Sequence, residues 1–301
     1  MNIQIETDLK LAMALQPDRK PVSYIRKSWA LARRYSQITF GGTLLLILVL
    51  ISILAPVLGT VDPRAMDTLS RLRPPSAAHW FGTDMLGRDL YSRVLYGGRN
   101  SLMIGFSVMV ISAVIGTLIG LISAYIRWLD GVIMRIMDGL MSVPSILLAI
   151  ALMSLTGASL TTVITAISII EIPRIARLIR GTVLSLREQP YVEAAITSGS
   201  GPFRIIFRHL LPGTVSPLII QSTYVWAVAM IIETMLSFIG AGTPPTIPSW
   251  GNIMSDGRAL WQVKPYMVFI SGVFLTLTVL AINVLGDGLR DAFDPRIALR
   301  K

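Results

Sequence analysis

The chain contains no cysteine among its 301 residues. A disulfide, a thiolate nucleophile and a thiolate metal site are therefore excluded. Histidine is almost absent as well. His79 and His209 stand far apart in the sequence, with long hydrophobic runs between them, and do not make a metal centre. No H-E-x-x-H occurs, and Ser198-Gly199-Ser200-Gly201 lacks the first glycine of a nucleophile elbow. A phosphate-cradling loop needs Gly-Lys followed by Ser or Thr. The one Lys followed by Ser is Lys27, and Arg26 precedes it. The chain thus shows no recognisable nucleotide site and no catalytic constellation.

Charge is scarce too. Charged residues make up 15% of the chain and apolar residues 53%, with a mean hydropathy of +0.65. Soluble domains carry about a quarter charged residues, so the composition points to an all-α membrane protein. It also argues against a disordered chain or a coiled coil. A helix needs about 20 apolar residues to cross a core of about 30 Å, where no water satisfies open backbone. Phe40 to Thr60, Asn100 to Ile126, Gly139 to Ile170 and Pro265 to Gly286 are free of charge, and Gly213 to Gly240 holds only Glu233. The run from Gly139 is too long for one span, and Thr156-Gly157-Ala158-Ser159 is a turn-forming cluster that divides it. Two spans are predicted there, about Asp138 to Leu155 and Leu160 to Ile179, for six in all.

The first span, residues 40–60, follows a largely polar segment, 1–39, and has no cleavage pattern close to the start, so it does not read as a signal peptide. The remaining boundaries are a loop at 61–99, a five-helix core at 100–290 and a tail at 291–301. With both ends inside, the inner segments hold 19 of the 27 Lys and Arg residues. Basic residues favour the cytoplasmic side. The net charge of +10 is then explained by topology, and nucleic acid is not an expected partner.

Several residues interrupt the apolar pattern. Arg174, Arg177 and Arg180 recur every third residue, as in a voltage sensor. They crowd one end of their span, and no channel filter sequence follows, so an inner-edge cationic cluster is the preferred reading. Ser112, Gly116, Gly120 and Ala124 form a small-residue stripe suited to close helix packing. Glu233 and Glu171 are intramembrane carboxylates. For Glu233, function and a structural hydrogen bond both stay open. Glu171 has Arg174 available three residues on, which favours a structural role.

The segment between the fourth and fifth spans is the most informative. Pro190 suits a first helical turn, Glu193 sits in its electropositive N-terminal turn, and Ala194 and Ala195 leave a low-relief face. Gly199 and Gly201-Pro202 can end the helix, here about 190–202. Phe203, Ile206, Phe207, Leu210 and Leu211 then recur at helical spacing. By spacing alone this is either a docking element or an ordinary amphipathic interfacial loop.

Glu193-Ala194-Ala195-x3-Gly199-x9-His209-x-Leu211-Pro212 resembles the EAA motif of permease subunits of binding-protein-dependent ABC importers. Within them the chain looks like the "C" type of the dipeptide/oligopeptide/nickel group. Supporting matches run from Trp80-Phe81-Gly82-Thr83-Asp84 and Gly87-Arg88-Asp89 through Pro248-Ser249-Trp250-Gly251 to Gly286-Asp287-Gly288 and Asp294-Pro295-Arg296. His209 replaces the usual Ile, the turn is richer in Gly and Pro than usual, and Glu171 stands where an apolar or aromatic residue is expected.

The resemblance implies a type I ABC importer permease fold in the bacterial inner membrane. It implies a homologous second permease subunit, two ATP-binding subunits that hold ATP and Mg, and a periplasmic solute-binding protein. This chain would hold no cofactor or metal and catalyse nothing. Glu193, Ala194, Ala195, Gly199, Leu211 and Pro212 would couple it to the ATPase. The 61–99 loop and the Trp250 segment would face the binding protein. The competing reading is an ion-coupled secondary transporter, which discontinuous helices and paired midplane carboxylates would favour.

Overall fold

A computed structural model describes residues 35–293, and every described helix is an α-helix or a short 3-10 or π turn. The N-terminal segment up to residue 34, the tail from 294, and Asp294-Pro295-Arg296 with it, lie outside the described residues.

Helix α1 spans Ser36–Ile53. A loop with 3-10 turns leads to α2, Leu90–Tyr125, whose 36 residues begin under an Asp89 cap: its carboxylate accepts from the Ser92 amide at 2.8 Å. The loop therefore ends at Asp89, not Arg99. The basic residues Arg93 and Arg99 belong to the helix. Then come α3, Arg127–Ser142, and α4, Ser145–Thr156. Helix α5 covers Leu160–Arg187, α6 covers Pro190–Thr197, and α7 covers Leu211–Ile239. A short α8, Trp250–Gly257, precedes α9, Tyr266–Phe293.

The expected third span, Asp138 to Leu155, is not one helix. It breaks at Val143-Pro144 and bends by 94° between α3 and α4. Pro144 has no N–H to donate, and its ring pushes Val143 out of the helical region; Val143 takes φ −88°, ψ 132°. The next break falls where the turn formers stand: α4 ends at Thr156, Gly157 takes φ +81°, and Ser159 caps α5. Among the described residues, by length and composition, four helices can cross a membrane, and five if the bent pair is one span. Helix α5 forms as expected, but Glu171, Arg174 and Arg177 make it too charged to qualify on composition alone.

The fifth span also starts earlier than Gly213. A helical turn at Pro202–Arg204 and a π turn at Ile205–Leu210 run straight into α7. Pro212 cannot donate to an i−4 carbonyl, and a wider turn just before it relieves the crowding.

Two hydrophobic clusters organise the chain. One surrounds α5, with Ile167, Ile175, Ile179, Val183 and Leu236. The other surrounds Trp250, with Leu90, Val94, Met230 and Met267. The small-residue stripe explains how α2 meets α5. A Cβ on Gly120 would lie 2.6 Å from the Ala176 carbonyl oxygen, and one on Gly116 2.8 Å from Ile175 Cβ. The stripe is thus an internal packing surface, which matters where no hydrophobic effect drives helix association. Gly139 has nothing within 4 Å of such an atom. Gly120→Ala should therefore destabilise the purified protein by about 1–3 kcal/mol, the usual cost of overpacking. Gly139→Ala, in an open helical position, should leave the thermal midpoint in detergent unchanged or slightly raised.

Candidate functional site

Helix α6 leaves α5 after only Glu188 and Gln189. Pro190 opens it, as expected. Its exit is a complete Schellman turn. The Gly199 amide donates to Ile196 O and the Ser200 amide to Ala195 O, both at 3.0 Å. Gly199 takes φ +78°, a conformation that favours glycine. The helix therefore ends at Thr197, before the expected limit near 202. Glu193 and Ala194 are exposed, as is Gly199, and Ala195 is half-buried. No atom lies within 4 Å of where a Gly199 Cβ would be. Leu211 is half-buried and Pro212 exposed, and both belong to α7.

One side chain nails α6 to the body. Val192 is fully buried in the cluster that also holds Ile205 and Leu210. The Tyr191 hydroxyl reaches the His209 carbonyl at 3.4 Å. Sequence reasoning missed Val192. The alternation of Val192 with exposed Tyr191 and Glu193 was the available signal.

Beside α6 lies a polar cleft of about 260 Å³, lined by Ser123, Arg127, Asp130, Arg187, Glu188 and Glu193 among others. Arg187 donates to the Ala124 carbonyl at 2.7 Å, which satisfies one of the open carbonyls at the end of α2. Arg180 grips Asp130 with two bonds, at 2.5 and 2.6 Å, and Arg177 pairs with Asp138. Arg174 pairs with Glu171 at 3.2 Å. Each arginine of the repeat thus has a carboxylate partner, two of them on α3.

The two intramembrane carboxylates do not form a pair. Glu171 belongs to Arg174. Glu233 is fully buried on α7, where Ser237 Oγ donates to it at 2.8 Å and Ser101 lies at 3.4 Å. Ser237 continues to Thr243, and Thr243 to Asn252 and Ser249. Glu233 therefore anchors the chain that leads into α8.

At the opposite end of α2 the structure assembles a cluster that spacing did not reveal. Arg88 and Arg93 both contact Asp84, Arg88 Nε at 2.6 Å. Both also reach Asp256 on α8, at 2.8 and 3.0 Å. In the segment expected to face the binding protein, the Trp250 side chain points into the body of the chain. It is 1% exposed, and its indole N–H donates to the Val94 carbonyl at 3.0 Å. A buried indole needs such a partner, and the neighbouring Gly98 leaves room for the ring. Among the described residues no group of carboxylates and histidines could hold a metal ion.

Residues 116–299 match the family of binding-protein-dependent transport system inner membrane components. The "Probable peptide ABC transporter permease protein y4tQ" of Sinorhizobium fredii is 50% identical, over 90% of this chain and 93% of its own length. The "Dipeptide transport system permease protein DppC" of Alkalihalophilus pseudofirmus is 42% identical, over 83% and 82%. The "Glutathione transport system permease protein GsiD" of Escherichia coli is 40% identical, over 89% of both. Among solved structures, a chain of the inward-facing MetNI methionine ABC transporter matches with a TM-score of 0.56. The two are 20% identical over 66% of this chain and 95% of that one, a likeness of fold.

The chain belongs to the family of inner-membrane permease components of binding-protein-dependent ABC importers. It is a multi-pass membrane subunit, and such subunits are non-catalytic.

The Asp84 cluster gives a stability prediction. Breaking a buried ion pair strands charge in a low-dielectric site. Asp84→Ala should lower the stability of the purified protein by about 3 kcal/mol, read from its thermal midpoint in detergent. Asp62→Ala, on an exposed turn, should change it little.

Proposed function

We propose that this chain is one of two homologous permease subunits of an inner-membrane importer for peptides. It carries half of the translocation path and takes its work from ATP-binding subunits through α6. The names of its relatives support the substrate class: peptide, dipeptide and glutathione permeases stand at 50, 42 and 40% identity. In this reading α5 and the bent α3–α4 pair each cross the membrane, which makes six spans. Lys and Arg counts support cytoplasmic termini and a cytoplasmic α6. A periplasmic binding protein would deliver the solute at the Asp84 end. ATP and Mg would be held by the partner subunits.

The coupling role of Glu193, Ala194, Ala195, Gly199, Leu211 and Pro212 rests on the geometry of α6. It is a short, exposed helix fixed at its root by Val192, joined to α5 through Glu188 and Gln189 and to α7 through the helical and π turns of residues 202–210. A push on it reaches both helices. Leu211 and Pro212 contribute at the base, where the π turn enters α7. Family membership weighs against the ion-coupled reading: α3 and α4 are discontinuous, but Glu171 and Glu233 sit in separate polar networks and form no pair.

Gly199 supplies the test. A Cβ there meets nothing within 4 Å among the described residues, and Asp and Asn tolerate a left-handed φ. Gly199→Asp should therefore leave the protein folded in the membrane and reduce ATP-dependent uptake in proteoliposomes at least about tenfold, equivalent to about 1.4 kcal/mol of lost interaction. Normal uptake by this variant would contradict coupling through α6.

A further inference from the structure

Arg174 is the one arginine of the repeat that lies deep in the membrane. Helix packing fixes its depth. Ile172 and Ile175 straddle it in sequence and meet Gly116 on α2. Gly116 stands about 15 Å along the helix from Ile126, at about 1.5 Å per residue. There α2 ends and Arg127 begins the next charged segment. Half of a core about 30 Å thick is about 15 Å, so Arg174 lies near the midplane.

Its environment is asymmetric. The Glu171 side chain is 0% exposed and the Arg174 side chain 39% exposed. Only Nη1 is engaged, with the Glu171 oxygens at 3.2 and 3.3 Å. The guanidinium leans over Tyr224 of α7, 5.9 Å from the ring centroid, and Tyr224 is itself exposed. Arginine has five donors in a fixed fork. Nε and Nη2 donate to no protein acceptor among the described residues and open onto the α5–α7 surface.

An exposed guanidinium at the midplane is too costly to face lipid, and such groups face a bundle interior or a water-filled cavity. A structural ion pair needs no exposed edge. We infer that Arg174 contacts the transported solute, its open donor edge taking the terminal carboxylate of a peptide as it passes the midplane. Glu171 and Tyr224 hold the fork in place. The planar fork matches a carboxylate with two parallel bonds, which a lysine would not supply. The buried Glu171 cannot reach the solute, so the accessible charge is positive. This rests on the peptide-importer reading above.

The experiment compares trialanine with its C-terminal amide in proteoliposomes holding the full transporter and its binding protein, both probes loaded on that protein. Wild type, Arg174→Gln and the double variant Glu171→Gln with Arg174→Gln are measured. The double variant strands no buried charge and guards against misfolding. The binding protein's own preference is common to all three and cancels in the ratio of acid to amide uptake. That ratio should fall about tenfold in both variants, the scale of one charged hydrogen bond, while amide uptake changes less than about twofold. A ratio equal to wild type, or an equal fall in both probes, overturns the inference and makes the pair purely structural. If wild type imports neither probe, the peptide-importer reading itself fails.

Discussion

The close approach of α2 and α5 is the constraint on which the rest depends. Gly116 and Gly120 let the two backbones meet where any side chain would collide with Ile175 or the Ala176 carbonyl. In a bilayer, packing of this kind replaces the hydrophobic effect as the force that joins helices. It also sets register. With α5 fixed on α2, Arg187 reaches the Ala124 carbonyl at the end of α2 and Arg180 reaches Asp130. The position of α6 follows, because only Glu188 and Gln189 separate it from α5.

Polar groups close the two ends of this pair. Toward α6, Asp130 and Asp138 of α3 neutralise Arg180 and Arg177, and α3 is drawn onto α5. At the other end Asp84, Arg88, Arg93 and Asp256 tie the long loop, the start of α2 and α8 together. Between them Glu233 and its hydroxyl partners hold the chain that enters α8. Buried charges are stable only when paired or hydrogen-bonded. Helix α6, by contrast, is held by one buried apolar side chain, Val192, by the Tyr191 bond to the His209 carbonyl and by one glycine turn.

Local signals in the sequence were legible where the chemistry was local. The cluster Thr156 to Ser159 marked a break that exists. Pro190 and Gly199 marked the two ends of α6, although the turn closes at Gly199 and not at Pro202. The stripe from Ser112 to Ala124 marked a packing face. The start of α2 was readable too, since Asp89 precedes Leu90 as a cap, but the charge of Arg93 and Arg99 argued for a loop. The bend at Pro144 was hidden because an apolar run says nothing about direction. The pairing of Arg88 with Asp256 joins residues 168 apart in sequence, and spacing carries no record of it. The burial of Trp250 likewise depends on a carbonyl 156 residues away, that of Val94, which its indole finds only in the fold.

In the proposed coupling, α6 is the contact through which ATP-driven work enters this chain. The absence of cysteine makes a direct test clean, because a single introduced thiol is the only one in the subunit. Ala194→Cys carries a photoreactive maleimide on the exposed face of α6, in membranes that hold the assembled transporter. Illumination should join this subunit to an ATP-binding subunit, with a yield that changes when ATP is added. An ATP-binding pair that co-purifies with the chain but never crosslinks from this position would contradict the account.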